Sequence, residues 1–251
     1  MIEVFEYIAF GLGAVTFGWW AWRAGSLSAV GSFAAVTLGL VVTLTAGVGW
    51  LLPLFLFFLS SNLLGRLFPT ALISSDAKDK QARDAVQVLC NGGVYGLVAL
   101  LDLDPTLLLI AMAVATADTW ASEVGKYFRQ PTVDILRLRR VPPGLSGGIS
   151  TAGNLGGAAG ASLIGSAGFL LISTFTAGDF AAVVVFGFLG MLLDSLLGAG
   201  LQPRYRDPSS GVLSDVRPPG GELVSGYRPL TNDAVNLLAG TLTVGVAILL
   251  T

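Results

Sequence analysis

The chain has 251 residues, 53% hydrophobic and 12% charged, with a net charge of −2. A soluble domain carries roughly twice that charged fraction, so an ordinary water-soluble domain is excluded and a membrane bundle is expected. The lack of histidine removes the commonest general base and the commonest zinc ligand, and a lone cysteine, Cys90, allows neither an internal disulfide nor a metal cluster.

In chain order, apolar runs near the ~20 residues needed to cross the hydrocarbon predict eight helices. They fall at about 5–22, 27–45, 49–65, 87–101, 106–125, 153–173, 181–200 and 232–250. The opening, MIEVFEYIAFGLG, lacks the basic start of a signal peptide and reads as the first helix. The expected fold class is all-α, a polytopic bundle forming one integral-membrane domain over 1–251. Polar loops at about 66–86, 126–152 and 201–231 then emerge on one side, and short connections near 102–105 and 175–180 on the other. All 14 Lys and Arg fall on the long-loop side, while the opposite side carries Glu3, Glu6, Asp102, Asp104 and Asp179 and no base. That asymmetry predicts a multi-pass protein of the cell membrane, with the long loops cytoplasmic and both termini extracytoplasmic. Trp19, Trp20, Trp22 and Trp50, near helix ends, read as interfacial anchors.

On the fifth helix, Ala111, Ala115, Asp118, Ser122 and Gly125 form one stripe of small residues, which lets membrane helices approach closely. The seventh repeats the design with Gly187, Gly190, Asp194 and Gly198. The eighth aligns Asn232, Asn236 and Gly240 with Asp233 beside them, and the fourth adds Asn91, Gly92 and Gly96. A carboxylate inside a membrane is costly unless paired or solvated, which makes Asp118 and Asp194 candidates for function. The plainer alternative is a helix-to-helix hydrogen bond to Asn or Ser. Glu123 is either a further metal ligand or the ion-pair partner of Lys126, three residues on.

The loops supply the opposite charge. In KYFRQPTVDILRLRRVPPGLSGGIST a basic run ending in Arg139 and Arg140 precedes a turn at Gly144 and then Ser146, Gly147 and Gly148. Glycines let backbone N–H groups converge on an anion, and a helix begins just after. The P-loop pattern Gly-Lys-Ser/Thr is missing, and a plain flexible hinge remains the alternative. The first loop brings Lys78, Lys80 and Arg83 towards Asn91, and the third brings Arg204. Basic loops above buried acids point to a phosphorylated ligand bridged by Mg²⁺.

ADTWASEVGK, RRVPPGLSGGIS, GMLLDSLLGAGLQ and NDAVNLLAG resemble an integral-membrane family once classed as a domain of unknown function. It includes the phytyl-phosphate kinase of tocopherol synthesis and is similar to CTP-dependent polyprenol kinases and CDP-lipid synthases. The resemblance runs from the third helix to the C-terminus. It places function on Asp118, Glu123 and Lys126, on Arg140 with Gly144 to Gly148, on Asp194, and on Asn232 with Asp233. It implies a CTP-dependent kinase converting a prenyl monophosphate to the diphosphate. Asp118, Asp194 and Lys126 would be catalytic, and Asp118, Glu123, Asp194 and Asp233 would hold Mg²⁺. Expected partners are CTP or another nucleoside triphosphate, a prenyl monophosphate and membrane lipids. No nucleic acid is expected, and a homodimer is left open. An ion or small-anion transporter and a CDP-lipid synthase are the competing readings.

Overall fold

A computed structural model describes residues 2–68 and 81–250, with residues 2–10 described by their backbone alone. Lys78 and Lys80 of the expected phosphate site lie outside the described residues. Eight α-helices are present among them: α1 (Ile2–Arg23), α2 (Ala29–Thr45), α3 (Leu51–Leu67), α4 (Ala85–Leu100), α5 (Pro105–Phe128), α6 (Thr151–Leu171), α7 (Ala177–Leu201) and α8 (Asn232–Leu250).

Local sequence sets most helix starts. Ser28 and Ser150 cap α2 and α6, Asp104 caps α5 ahead of Pro105, and capping boxes open α4 (Asp84 with Gln87) and α7 (Thr176 with Asp179). The Thr176 box starts α7 before the expected 181, and α5 continues past 125 until Arg129 turns left-handed. Five spans are long and apolar enough to cross a membrane: Val48–Leu67, which joins α3 to a preceding 3₁₀ turn, and α5, α6, α7 and α8. At 17 and 16 residues, α2 and α4 are shorter apolar helices.

Helix α5 is the hub. Leu107 to Ala117 are all buried, with α6 and α7 packed most closely and α3, α4 and α8 around them. In turn α2 covers α4, and α1 covers α2. Glycines permit the tightest approach: a Cβ at Gly160 of α6 would lie 3.0 Å from the Thr116 carbonyl oxygen and 3.1 Å from the Trp120 ring. Gly187 of α7 likewise lies against Ala113. Gly160→Leu must therefore push α6 off α5, an overpacking cost of about 1–3 kcal/mol. A lower thermal midpoint in detergent is expected, and an unchanged midpoint would contradict this close packing.

The second and third long loops are more ordered than the sequence suggests. One holds a three-stranded antiparallel sheet in the order β2-β1-β3: β1 (Thr132–Asp134), β2 (Arg140–Val141) and β3 (Gly148–Ile149). The other holds β5-β4-β6: β4 (Arg204–Arg206), β5 (Leu213–Ser214) and β6 (Glu222–Ser225). Strands of two to four residues are too short to show an alternating pattern. The two sheets are tied together at the end of α7. Arg204 Nη1 donates to Asp134 Oδ2, Arg204 Nη2 donates to the Ser146 carbonyl, and Asp215 Oδ2 accepts from Ser146 N at 2.7 Å. Arg137 Nη1 adds bonds to Asp134 Oδ2 at 3.2 Å and to the Ala199 carbonyl at 2.9 Å.

Candidate functional site

One end of the bundle encloses a polar cleft of about 910 Å³. Its lining draws on the α1–α2 turn, on all three long loops and on the adjoining turns of α3, α4, α5, α6, α7 and α8. The described parts of the loops that carry most of the bases therefore gather at a single end.

Asp118 of α5 and Asp194 of α7 both line the cleft and the small pocket at its floor, where their side chains are close enough to interact. Two carboxyl groups this close need a proton or a cation between them, because two bare negative charges repel strongly in a poorly hydrated site. Asn91 and Asn236 complete the floor. With its amide nitrogen facing the acid, Asn236 donates to Asp194 Oδ2 at 2.9 Å and to the Asn232 carbonyl at 3.0 Å. Asn91 donates to the Gln87 carbonyl at 2.8 Å. A pocket of about 10 Å³, near the size of one water, adjoins the four side chains.

The walls carry Arg83, Glu123 and Lys126. Arg83 is held by its backbone, which pairs with the α1–α2 turn (Ser28 N to the Arg83 carbonyl, 2.9 Å), and by its guanidinium, 5.6 Å from the Phe57 ring centre. Burial lowers its pKa from the usual arginine value, and the Glu123 carboxylate opposes that shift. Lys126 interacts electrostatically with Asp118, and its stem lies against Gly144, whose φ is +87°. Each charge of the Glu123–Lys126 sequence pair thus has an electrostatic partner on another residue. Asn232 accepts from Gln202 Nε2 at 3.5 Å, and buried Asp233 lies next to it on the lining.

Other expected positions are placed differently. Arg204 is 2% exposed and locked to Asp134 and the Ser146 carbonyl, so its guanidinium serves the loop structure and not the cleft. Arg139 and Arg140 are exposed on the β1–β2 hairpin, outside the cleft lining. Ser146, Gly147 and Gly148 do line the cleft, but the backbone donors expected to meet an anion are largely engaged. Ser146 N serves Asp215, Gly148 N reaches the Leu145 carbonyl at 2.9 Å, and Leu145 N reaches the Pro142 carbonyl at 3.2 Å. The glycines answer packing needs instead. Gly147, at φ +77°, lies against Ala199 of α7, and a Cβ at Gly148 would meet Thr132 at 2.7 Å. The start of α6 is similarly occupied, with Gly153 N on Ser150 Oγ and Ala152 N on Gln130 Oε1.

The cleft therefore holds five acids (Asp118, Glu123, Asp194, Asp215, Asp233) against three bases (Arg66, Arg83, Lys126) among the described residues. A polyphosphate meets net negative walls there unless cations accompany it. The floor carboxyls suit a hard cation, since Asp118 and Asp194 supply oxygen donors, the amides of Asn91 and Asn236 stand beside them, Cys90 lines the small adjoining pocket, and the chain has no imidazole. Among the described residues no group of three or more His, Cys, Asp or Glu converges as a metal site. Only two floor carboxyls would thus serve, which suits an ion that takes one or two carboxylates plus substrate phosphates and water. Asn236 is legible only as part of the Asn232 stripe. Asp215 carries no sequence signal, being one acid in an unpatterned loop.

Comparison with known proteins matches residues 12–244 to the family "Integral membrane protein DUF92". Protein PGR of Arabidopsis thaliana is 28% identical over 241 residues, covering 82% of this chain and 83% of that protein. Uncharacterized membrane protein MJ0933 of Methanocaldococcus jannaschii is 31% identical over 172 residues, covering 64% of this chain and 69% of its own length. No solved structure matches the chain.

Proposed function

The chain belongs to the DUF92 family of integral membrane proteins, and we propose that it is a CTP-dependent kinase of a prenyl monophosphate. The observation that carries this reading is the meeting of Asp118 and Asp194 at the floor of a polar cleft into which all three long loops converge. The nucleotide and the prenyl class come from the sequence resemblance. Asp118 and Asp194 would hold Mg²⁺, with Asn91 and Asn236 orienting them. The ion would neutralise charge on the transferred phosphoryl group. Lys126 and Arg83 would contact phosphate oxygens, and Glu123 and Asp233 would take a second cation that balances a triphosphate. The acceptor oxygen of a lipid monophosphate is already ionised at neutral pH and attacks the γ-phosphate without a general base. A site without histidine therefore suffices, since phosphoryl transfer rests mainly on positioning and charge neutralisation.

The long loops, and with them the cleft mouth, face the cytoplasm in this reading, and both termini face out. In a Cys90→Ser background, external thiol labelling is expected to reach a cysteine at Asp104 or Asp179 and not one at Arg217. The reverse pattern would reject the orientation and a cytosolic nucleotide with it.

The reaction is tested with purified protein, Mg²⁺, labelled CTP and a panel of prenyl monophosphates. A lipid diphosphate plus CDP is expected. A CDP-lipid plus pyrophosphate would make the protein a cytidylyltransferase, and ion or anion flux in vesicles without turnover would make it a transporter.

A further inference from the structure

The β1–β2 hairpin presents a surface that the cleft does not use. Its tip is rigid: the Asp134 carboxylate accepts from Leu136 N at 2.9 Å and Arg137 N at 2.7 Å, and Leu138 N donates to the Asp134 carbonyl at 2.8 Å. That turn holds Leu136 and Leu138 outward, 47% and 79% exposed. Leu138 adopts a left-handed φ of 52°, a region that residues bearing a Cβ rarely enter. The tip is seated on the last turn of α7. Arg137 bonds the Ala199 carbonyl, and Leu136 Cδ1 lies 3.4 Å from where a Cβ on Gly200 would stand. Since α7 is long and apolar enough to cross a membrane, the leucines project beside one end of a membrane-length helix.

Charge identifies what they meet. In the stretch 129–140, RQPTVDILRLRR, the only acid is Asp134, which is fully buried and bound by Arg137 and Arg204. Exposed Arg129, Arg139 and Arg140 leave this surface positive. Leucines interleaved with arginines at a helix end match the boundary between acyl chains and headgroups, and clustered bases there attract anionic lipids.

We propose that the hairpin tip docks on the bilayer around α7, with Leu136 and Leu138 in the interface and Arg139 and Arg140 on the phosphates of anionic lipids. This proposal is independent of the reaction assigned to the cleft, and its test needs no turnover. The full chain with Cys90→Ser and Leu138→Cys carries a nitroxide and is placed in nanodiscs of phosphatidylcholine, with or without phosphatidylglycerol. Collisions with oxygen are expected to exceed those with a water-soluble nickel chelate. Adding phosphatidylglycerol should raise that ratio at least about twofold. A label at Leu136→Cys should follow the same pattern. Arg139→Gln with Arg140→Gln should abolish the dependence on anionic lipid. Preferential collision with nickel would place the tip in water, and protection from both reagents would place it against protein. Either result, or an unchanged lipid dependence in the double variant, overturns the proposal.

Discussion

Asp118→Asn is expected to lower turnover by about 10² or more, since the metal charge stabilisation lost with a ligand is worth several kcal/mol. The substitution keeps the size of the side chain and gives it an amide that can donate to Asp194, so the contact between α5 and α7 should persist. It also removes one of two mutually repelling charges, so the thermal midpoint should hold or rise. This combination separates a catalytic role from a structural one, because a residue serving only to join two helices would lose stability first. Asp194→Asn should behave alike, and the double variant should lose little more, as expected for two residues acting through one bound ion. The apparent Mg²⁺ requirement of either single variant should rise. Normal turnover in Asp118→Asn, measured beside the midpoint, would remove these acids from the mechanism.

Asp134→Ala is expected to have the largest structural effect in the loops. It leaves the buried Arg204 guanidinium without its carboxylate and the Leu136 and Arg137 N–H groups without their acceptor. Breaking one partner of a buried ion pair costs about 3–5 kcal/mol. The strain falls on the junction of the two sheets, so proteolysis within 126–152 and 201–231 should accelerate while the helices stay in the membrane. Arg204→Met added to Asp134→Ala should restore part of the resistance, because the uncompensated charge is gone. The same pair sets an acid limit. Burial alone raises the Asp134 pKa, but the Arg204 guanidinium and the backbone donors of Arg137 and Leu136 outweigh it and hold the carboxyl below its usual range. A depressed folded-state pKa gives stability that is complete above the unfolded value, about 4, and lost as the pH falls through the folded value. Loop protection in the native protein should therefore persist at pH 5 and fade well below pH 4. Equal loop protection in native protein and Asp134→Ala at neutral pH would refute this ion pair's role.

Sequence by itself determined the features that depend on residues near one another along the chain. Apolar run length gave a membrane helical bundle, because crossing hydrocarbon with satisfied backbone groups demands it. Capping residues such as Ser28, Asp84 and Ser150 started helices, because those hydrogen bonds close within three residues. The small-residue stripes on α5 and α7 put Asp118 and Asp194 on interior faces, and the two acids do meet. The tertiary structure decided which charges reach the cleft. Arg83 enters it because its backbone pairs with the α1–α2 turn, whereas Arg204 is captured by Asp134, 70 positions away, and Arg139 and Arg140 face outward. Asp215 takes the Ser146 N–H from 69 positions away, so a loop that reads as an anion nest is engaged from within. The physical reason is common to these long-range contacts. A charged side chain settles with whichever partner the fold carries to it, and neither periodicity nor spacing encodes a contact closed across so long a stretch of chain.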